Sequence, residues 1–192
     1  MPANTPIKVC SRASVLMGGS PISSFDEGTA EADVVDAMYE DIARAALTST
    51  RWRFATNQQV LNRLAAAPTS RFDAAYQMPS DLLMLSAVTV NDDPIVYDTY
   101  GDKVYCDTST NEVVVADYIY RATEATWPSY FTLAVEFQVA AMLSISIARD
   151  ASLGSMMDQQ AERQMIKARR LDSQQQTTRK LMTSRFIAQR RS

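Results

Sequence analysis

Between Thr29 and Ser49 the apolar residues Val35, Met38, Tyr39, Ile42 and Ala46 recur on one side of a helical period, which predicts an amphipathic helix. Thr29 is placed to cap it, and Glu31 and Asp33 in the first turn suit the helix dipole. Upstream, Ile7 to Met17 reads as a shorter helix stopped by Gly18-Gly19, followed by a loop that contains Pro21. Downstream the texture changes. Trp52 and Phe54 alternate with Arg51 and Arg53, as in a strand or an extended exit from the helix, while Val60, Leu61 and Leu64 fit either a strand or a short helix. Ala75 to Pro79 and Asp81 to Val90 are β-prone, and Asn91-Asp92-Asp93-Pro94 marks a turn. Ile95–Tyr100, Lys103–Cys106 and Glu112–Arg121 then predict a small antiparallel meander. In the last of these runs Val113, Val115, Asp117 and Ile119 face one way and Val114, Ala116, Tyr118 and Tyr120 the other. A strand this apolar on both faces is either central in a sheet or covered by a partner.

Helical patterning returns at Trp127-Pro128. From Phe131 to Ala148 only Glu136 is charged, so this helix is expected to be buried on several sides. A break over Asp150–Ser155, with Gly154, precedes a last helix from about Ser155 to Gln176. Its apolar stripe is narrow: Met157, Ala161, Met165, Ala168 and Leu171. Such a stripe resembles a coiled-coil seam or the exposed edge of a bundle more than a deep core helix, and these five residues are the expected subunit interface. After Gln174-Gln175-Gln176 the chain carries Arg179, Lys180, Arg185, Arg190 and Arg191 without an acidic residue, interleaved with Leu181, Met182, Phe186 and Ile187. The expected fold is mainly α with a β insertion. Residues 1–50 and 125–176 form an antiparallel helix bundle, 51–124 a β-rich insertion holding the small antiparallel β-meander, and 177–192 an extended C-terminal tail.

Composition narrows the chemistry. Nineteen basic residues against 22 acidic ones give a net charge of −3, so no global positive charge drives binding to nucleic acid or anionic lipid. The 192-residue chain has no histidine. That removes the commonest general base, the commonest metal ligand and every Ser/His or Cys/His pair. Cys10 and Cys106 lack zinc spacing; they form either one disulfide or two buried thiols, and a reducing cytosol favours the thiols. No uncharged stretch is long enough to cross a bilayer, and no signal-peptide pattern follows Lys8 and Arg12, so a cytoplasmic origin without a membrane partner is expected. Gly18-Gly19-Ser20 lacks the residues of a phosphate loop, and Asp92-Asp93, like Asp98 and Asp102, is explained by turn chemistry. No catalytic residue, metal site or cofactor is expected. Tyr97, Tyr100, Tyr105, Tyr118 and Tyr120 have the character of base-stacking aromatics, but only Lys103 and Arg121 accompany them, which favours core or subunit packing. The basic tail reads as a solvated end, as an arm that orders on a partner with its apolar residues in pockets and its arginines on carboxylates, or as a DNA-phosphate contact.

Several of these residues resemble a known family. The helix ending in Gly18-Gly19-Ser20-Pro21-Ile22, the helix ending in Ala45-Ala46-Leu47, and Arg51-Trp52-Arg53-Phe54-Ala55 resemble bacteriophage head-to-tail connector adaptors, in particular the tail tubular protein A family of short-tailed phages. Tyr76-Gln77-Met78-Pro79-Ser80-Asp81 with Leu82-Leu83 is similar to that family's β region. Trp127-Pro128 with its alanine-rich helix, and Ala168-Arg169-Arg170-Leu171-Asp172, extend the likeness over about residues 7–176. The resemblance implies a non-catalytic virion protein of the tail-neck region, made in the host cytoplasm. Its copies would form a dodecameric ring under the portal protein, receive downstream tail or nozzle proteins, and let genomic DNA pass without sequence-specific contact during retention and ejection. The acidic balance is compatible with a lumen that does not grip DNA. Portal docking falls to the arm: Arg179, Lys180, Leu181, Met182, Arg185, Phe186, Ile187, Arg190 and Arg191. The alternatives are a scaffolding or tail-completion protein of a longer-tailed phage, and a cell-wall-cleaving virion enzyme that works with carboxylates alone.

Overall fold

The computed structural model describes residues 4–66, 68–69 and 71–175. Its four α-helices and eight strands follow in chain order: α1 Pro6–Leu16, α2 Ala30–Thr48, β1 Thr56–Val60, β2 Asn62–Arg63, β3 Ala74–Gln77, β4 Leu82–Val90, β5 Asp93–Pro94, β6 Tyr97–Tyr100, β7 Lys103–Cys106, β8 Val114–Tyr120, α3 Ser129–Ser146 and α4 Ala151–Gln174. Every described strand thus lies between Thr56 and Tyr120, with two helices before and two after.

The helices begin and end for local reasons. Thr5 and Thr29 cap α1 and α2 through side-chain oxygens that accept from Lys8 and Ala32 N–H. Gly18 ends α1 at φ +89°, where a side chain would be strained. The break before α4 comes earlier than Asp150–Ser155. The chain turns at Arg149 (φ 52°), and the Asp150 carboxylate accepts from Ser152 and Leu153 N–H to start the helix at Ala151. Gly154 therefore lies inside α4 and does not break it. A Cβ there would stand 2.6 Å from Ile145 Cγ1, so the missing side chain lets α3 and α4 approach closely.

α3 is the centre of the helical layer, packed by α4, α1 and α2. It has the length and apolarity of a membrane span, but more than half of it is buried inside the fold. Trp52, Phe54, Trp127 and Phe131 stack edge-on or tilted in its core, with Phe131 centroids 5.0, 4.9 and 4.9 Å from the rings of Trp52, Phe54 and Trp127. The two indole N–H groups donate to Ala46 and Ala122 carbonyls, each at 2.9 Å, so neither aromatic is buried with an orphan donor. Trp52 and Phe54 thus sit in an extended exit with a single 3₁₀ turn over Arg53–Ala55.

The β region departs from a single meander. Its strands form two four-stranded antiparallel sheets, β1-β8-β4-β5 and β2-β3-β7-β6, so the fold is mixed α/β. The chain passes between the sheets four times, at Leu61, between Gln77 and Leu82, between Pro94 and Tyr97 and between Cys106 and Val114, and a second core of Tyr76, Val88, Val104, Cys106, Ala116 and Tyr118 fills the space between them. Residues around Val60 to Leu64 belong to β1 and β2. Alternation fixed which side chains face inward but not which strands pair: β7 and β8 follow one another in sequence yet belong to different sheets. Asn91 and Asp92, both with positive φ, make the two-residue turn between β4 and β5, and Asp93-Pro94 already pairs with β4. β8 is central in its sheet, flanked by β1 and β4. It also joins the two cores, because Val114, Ala116 and Tyr118 face the inter-sheet core while Ile119 enters the helical one.

Candidate interaction surfaces

The expected subunit interface is corrected by packing within the chain. Met157, Ala161, Met165 and Ala168 are buried, on the face of α4 that packs against α3; only Leu171, 45% exposed, stays on the surface. A narrow stripe serves an intramolecular hairpin as well as an intermolecular seam, and close approach at Gly154 selects the hairpin. The arm residues Arg179, Lys180, Leu181, Met182, Arg185, Phe186, Ile187, Arg190 and Arg191 lie outside the described residues.

The last turn of α4, just before that arm, is pinned to the start of the β region. Buried Asp172 accepts from the backbone N–H of Arg53 at 3.1 Å and from the Tyr130 hydroxyl at 2.9 Å, and Arg53 Nη1 donates to the Gln175 carbonyl at 2.9 Å. Burial and the Asp172 carboxylate together push the Tyr130 hydroxyl up to about 12. The Arg53 side chain, read in sequence as one of two charges flanking an aromatic pair, thereby ties α4 to the β region's entrance.

A second polar cluster joins the helical layer to the β unit. Arg121, one residue past β8, donates to Glu40 of α2 at 2.9 Å and to buried Glu124 at 2.6 Å, and the Tyr39 hydroxyl donates to Glu124 at 3.0 Å. The guanidinium also lies over the Trp127 ring, 5.6 Å from its centroid. Burial opposes the charge on Arg121, yet its hydrogen bonds to the two carboxylates hold it more firmly protonated than usual; the same bonds lower the Glu40 carboxyl. Burial and Glu124 raise the Tyr39 hydroxyl well above its ordinary range and push the Cys10 thiol up to about 12. Arg121 and Glu40 are thus held charged, and Tyr39 and Cys10 neutral, near neutral pH. No local signal marked this cluster in the sequence; its only hint is Tyr39 on the apolar stripe of α2, whose hydroxyl needs a buried acceptor.

On the surface, α1 and α3 border an open recess of 330 Å³ lined by Ser11, Arg12, Val15, Leu16 and Glu136. Arg12 pairs with Glu136, whose carboxyl burial nevertheless raises. On the outer face of the second sheet, Tyr105 lies between Phe72 and Tyr100 at centroid distances of 6.5 and 5.3 Å. Tyr118 is in the inter-sheet core and Tyr120 packs against both cores, so neither stands on a base-stacking platform. Both cysteines are free and buried. Among the described residues no three Cys, Asp or Glu side chains converge as metal ligands would.

The exposed charges of α2 and α4 differ in balance. α2 exposes Asp33, Asp36, Glu40 and Asp41 with one cation, Arg44, and α4 exposes Arg163, Lys167, Arg169 and Arg170 with Asp158 and Glu162; Met156 and Ile166 stand beside them, 50% and 64% exposed. Compared with known proteins, the chain matches no family model, and no curated protein matches its sequence.

Proposed function

We propose that this chain is a structural virion protein: one subunit of a head-to-tail adaptor ring that joins the portal protein to the tail and forms part of the channel through which genomic DNA is retained and ejected. The reading rests on motifs that resemble those of connector adaptors, among them Arg51-Trp52-Arg53-Phe54-Ala55 and Ala168-Arg169-Arg170-Leu171-Asp172. One structural observation carries it further: the two motifs touch. Asp172 binds the Arg53 backbone and Arg53 binds the Gln175 carbonyl, so the last described turn is held in place immediately before the basic, apolar-interleaved sequence 177–192. An arm that docks on a larger ring needs a defined origin, because a fixed start reduces the freedom lost on binding.

In this reading the ring is dodecameric, acts without a cofactor, and is made in the cytoplasm before joining the virion neck. The antiparallel helical layer supplies the body, the β unit faces neighbouring subunits or tail proteins, and the extended arm, from Arg179 to Arg191, docks on the portal. The polar clusters act as clamps and break no bonds. The test is binding of the full chain to portal rings encoded by the same genome, read by co-sedimentation and by electron microscopy of the complex. The expected result is a ring seated on the portal, lost when residues 177–192 are deleted. Undiminished binding after the deletion would remove the arm's role, and failure of the full chain to bind would overturn the adaptor reading.

A further inference from the structure

The exposed charges of α2 and α4 form two matching lines. Asp33, Asp36 and Glu40 follow one another at steps of three and four residues, along the exposed flank of α2 beside the face that buries Ala32, Val35, Tyr39 and Ala43. Arg163, Lys167 and Arg170 follow at steps of four and three, opposite the face of α4 that buries Met157, Ala161, Met165 and Ala168. Read in opposite directions the two series have the same rise, about 4.5 Å and then about 6 Å. Antiparallel contact therefore sets Asp33 level with Arg170, Asp36 with Lys167 and Glu40 with Arg163.

Within the chain these lines do not meet. Among the described residues Asp33, Asp36, Arg163, Lys167 and Arg170 make no ion pair; Glu40 is engaged by Arg121 and Arg44. The helix dipole accounts for Asp33 in the first turn of α2, but not for Arg163, Lys167 and Arg170, all before the last turn of α4. Like charges in a row weaken a helix slightly, and an opposite row supplied from outside would reverse that effect. Nor is the contact purely ionic: Ala37 sits in the acidic line, where a small side chain permits close approach, and Ile166 and Met156 flank the basic one.

We propose that the acidic line of α2 docks antiparallel on the basic line of α4 of a second copy of this chain. The contact is head-to-tail, since each copy keeps a free α2 at one side and a free α4 at the other, and repetition gives a ring if the rotation closes. This deepens the adaptor reading by naming the subunit contact and rests on it for the ring. A nucleic acid on the basic line would leave the acidic line unexplained, whereas a second copy uses both.

Two charge-reversed chains test the contact, one D33K/D36K and one K167E/R170E, each checked for native circular dichroism. Sedimentation velocity is run over a concentration series at about 50 mM and about 500 mM salt. Wild type is expected to self-associate more strongly at low salt, and each variant alone to associate at least about tenfold more weakly. The first variant carries two basic lines and the second two acidic ones, so their equimolar mixture is expected to recover association as alternating copies. Variants that associate like wild type, or a wild type and a mixture that both remain monomeric, would overturn the contact. So would loss of binding to duplex DNA by K167E/R170E with unchanged self-association. If the portal complex forms while the reversals have no effect, the contact alone fails; if the mixture recovers association but nothing seats on portal rings, the contact stands and the adaptor reading fails.

Discussion

Replacing Arg121 by Met removes the cation between α2 and the β unit while keeping most of the side-chain volume. Its two partners differ sharply: the Glu124 side chain is 8% exposed and that of Glu40 49%. Loss of the Glu40 pair is a surface loss of under about 1 kcal/mol. Loss of the Glu124 pair leaves a buried carboxylate with only the Tyr39 hydroxyl, and breaking such a pair costs about 3–5 kcal/mol. Arg121 itself retains some contact with water, which places R121M near the lower bound, about 3 kcal/mol. E40A is expected to cost under about 1 kcal/mol. R121M/E124L, which removes both charges, should cost at least about 1 kcal/mol less than the two single changes together. Urea unfolding at pH 7 measures this series, with fluorescence of Trp127, which lies against the guanidinium, as the probe. The sign with pH follows from Glu40, whose carboxyl is lowered: its contribution is full above the ordinary value of 4.5, shrinks below it and is gone below the folded value, so the E40A deficit should close on acidification. An R121M cost no larger than that of E40A, or a double variant as costly as the sum of the singles, would refute the reasoning.

D172A removes the acceptor for Arg53 N–H and the Tyr130 hydroxyl; a loss of about 2–3 kcal/mol is expected in the same unfolding assay, together with faster proteolysis near Gln175, and D172N should lose less. F131A empties the centre of the aromatic cluster and should cost about 3–5 kcal/mol in thermal or urea unfolding; a cost below about 1 kcal/mol would mean that the core does not depend on it. Cys10, with its thiol pushed up to about 12, should stay unmodified by a thiol-specific reagent at pH 8 until urea unfolds the chain, and modification in the native state at the rate of a free thiol would contradict its burial.

What the sequence disclosed followed from periodicity. The α2 stripe, except Met38, which is 43% exposed, its Thr29 cap and the many-sided burial of α3 are legible, because each depends on neighbours along the chain. Gly154 reads as a breaker along the chain, and its other use, letting two helices touch, depends on Ile145 across the interface. Strand partners were illegible for the same reason, as the choice of β4 over β7 beside β8 is made by burial of two apolar faces at once. The stripe from Met157 to Ala168 fits a seam with another subunit or the edge of a bundle equally well, because periodicity identifies a face and is silent about who covers it; here α3 covers it. The cluster of Arg121, Glu40, Glu124 and Tyr39 was missed altogether, since its members are brought together by the junction of the two cores.

Sharing β8 has a mechanical consequence. Ile119 is held by the helices while Ala116 and Tyr118, on the same short strand, are held by the sheets, so the two layers cannot be melted in turn without first tearing out their common element. Strain applied at one end of the molecule therefore travels to the other through covalent backbone, and the body moves as one stiff block when the pull comes.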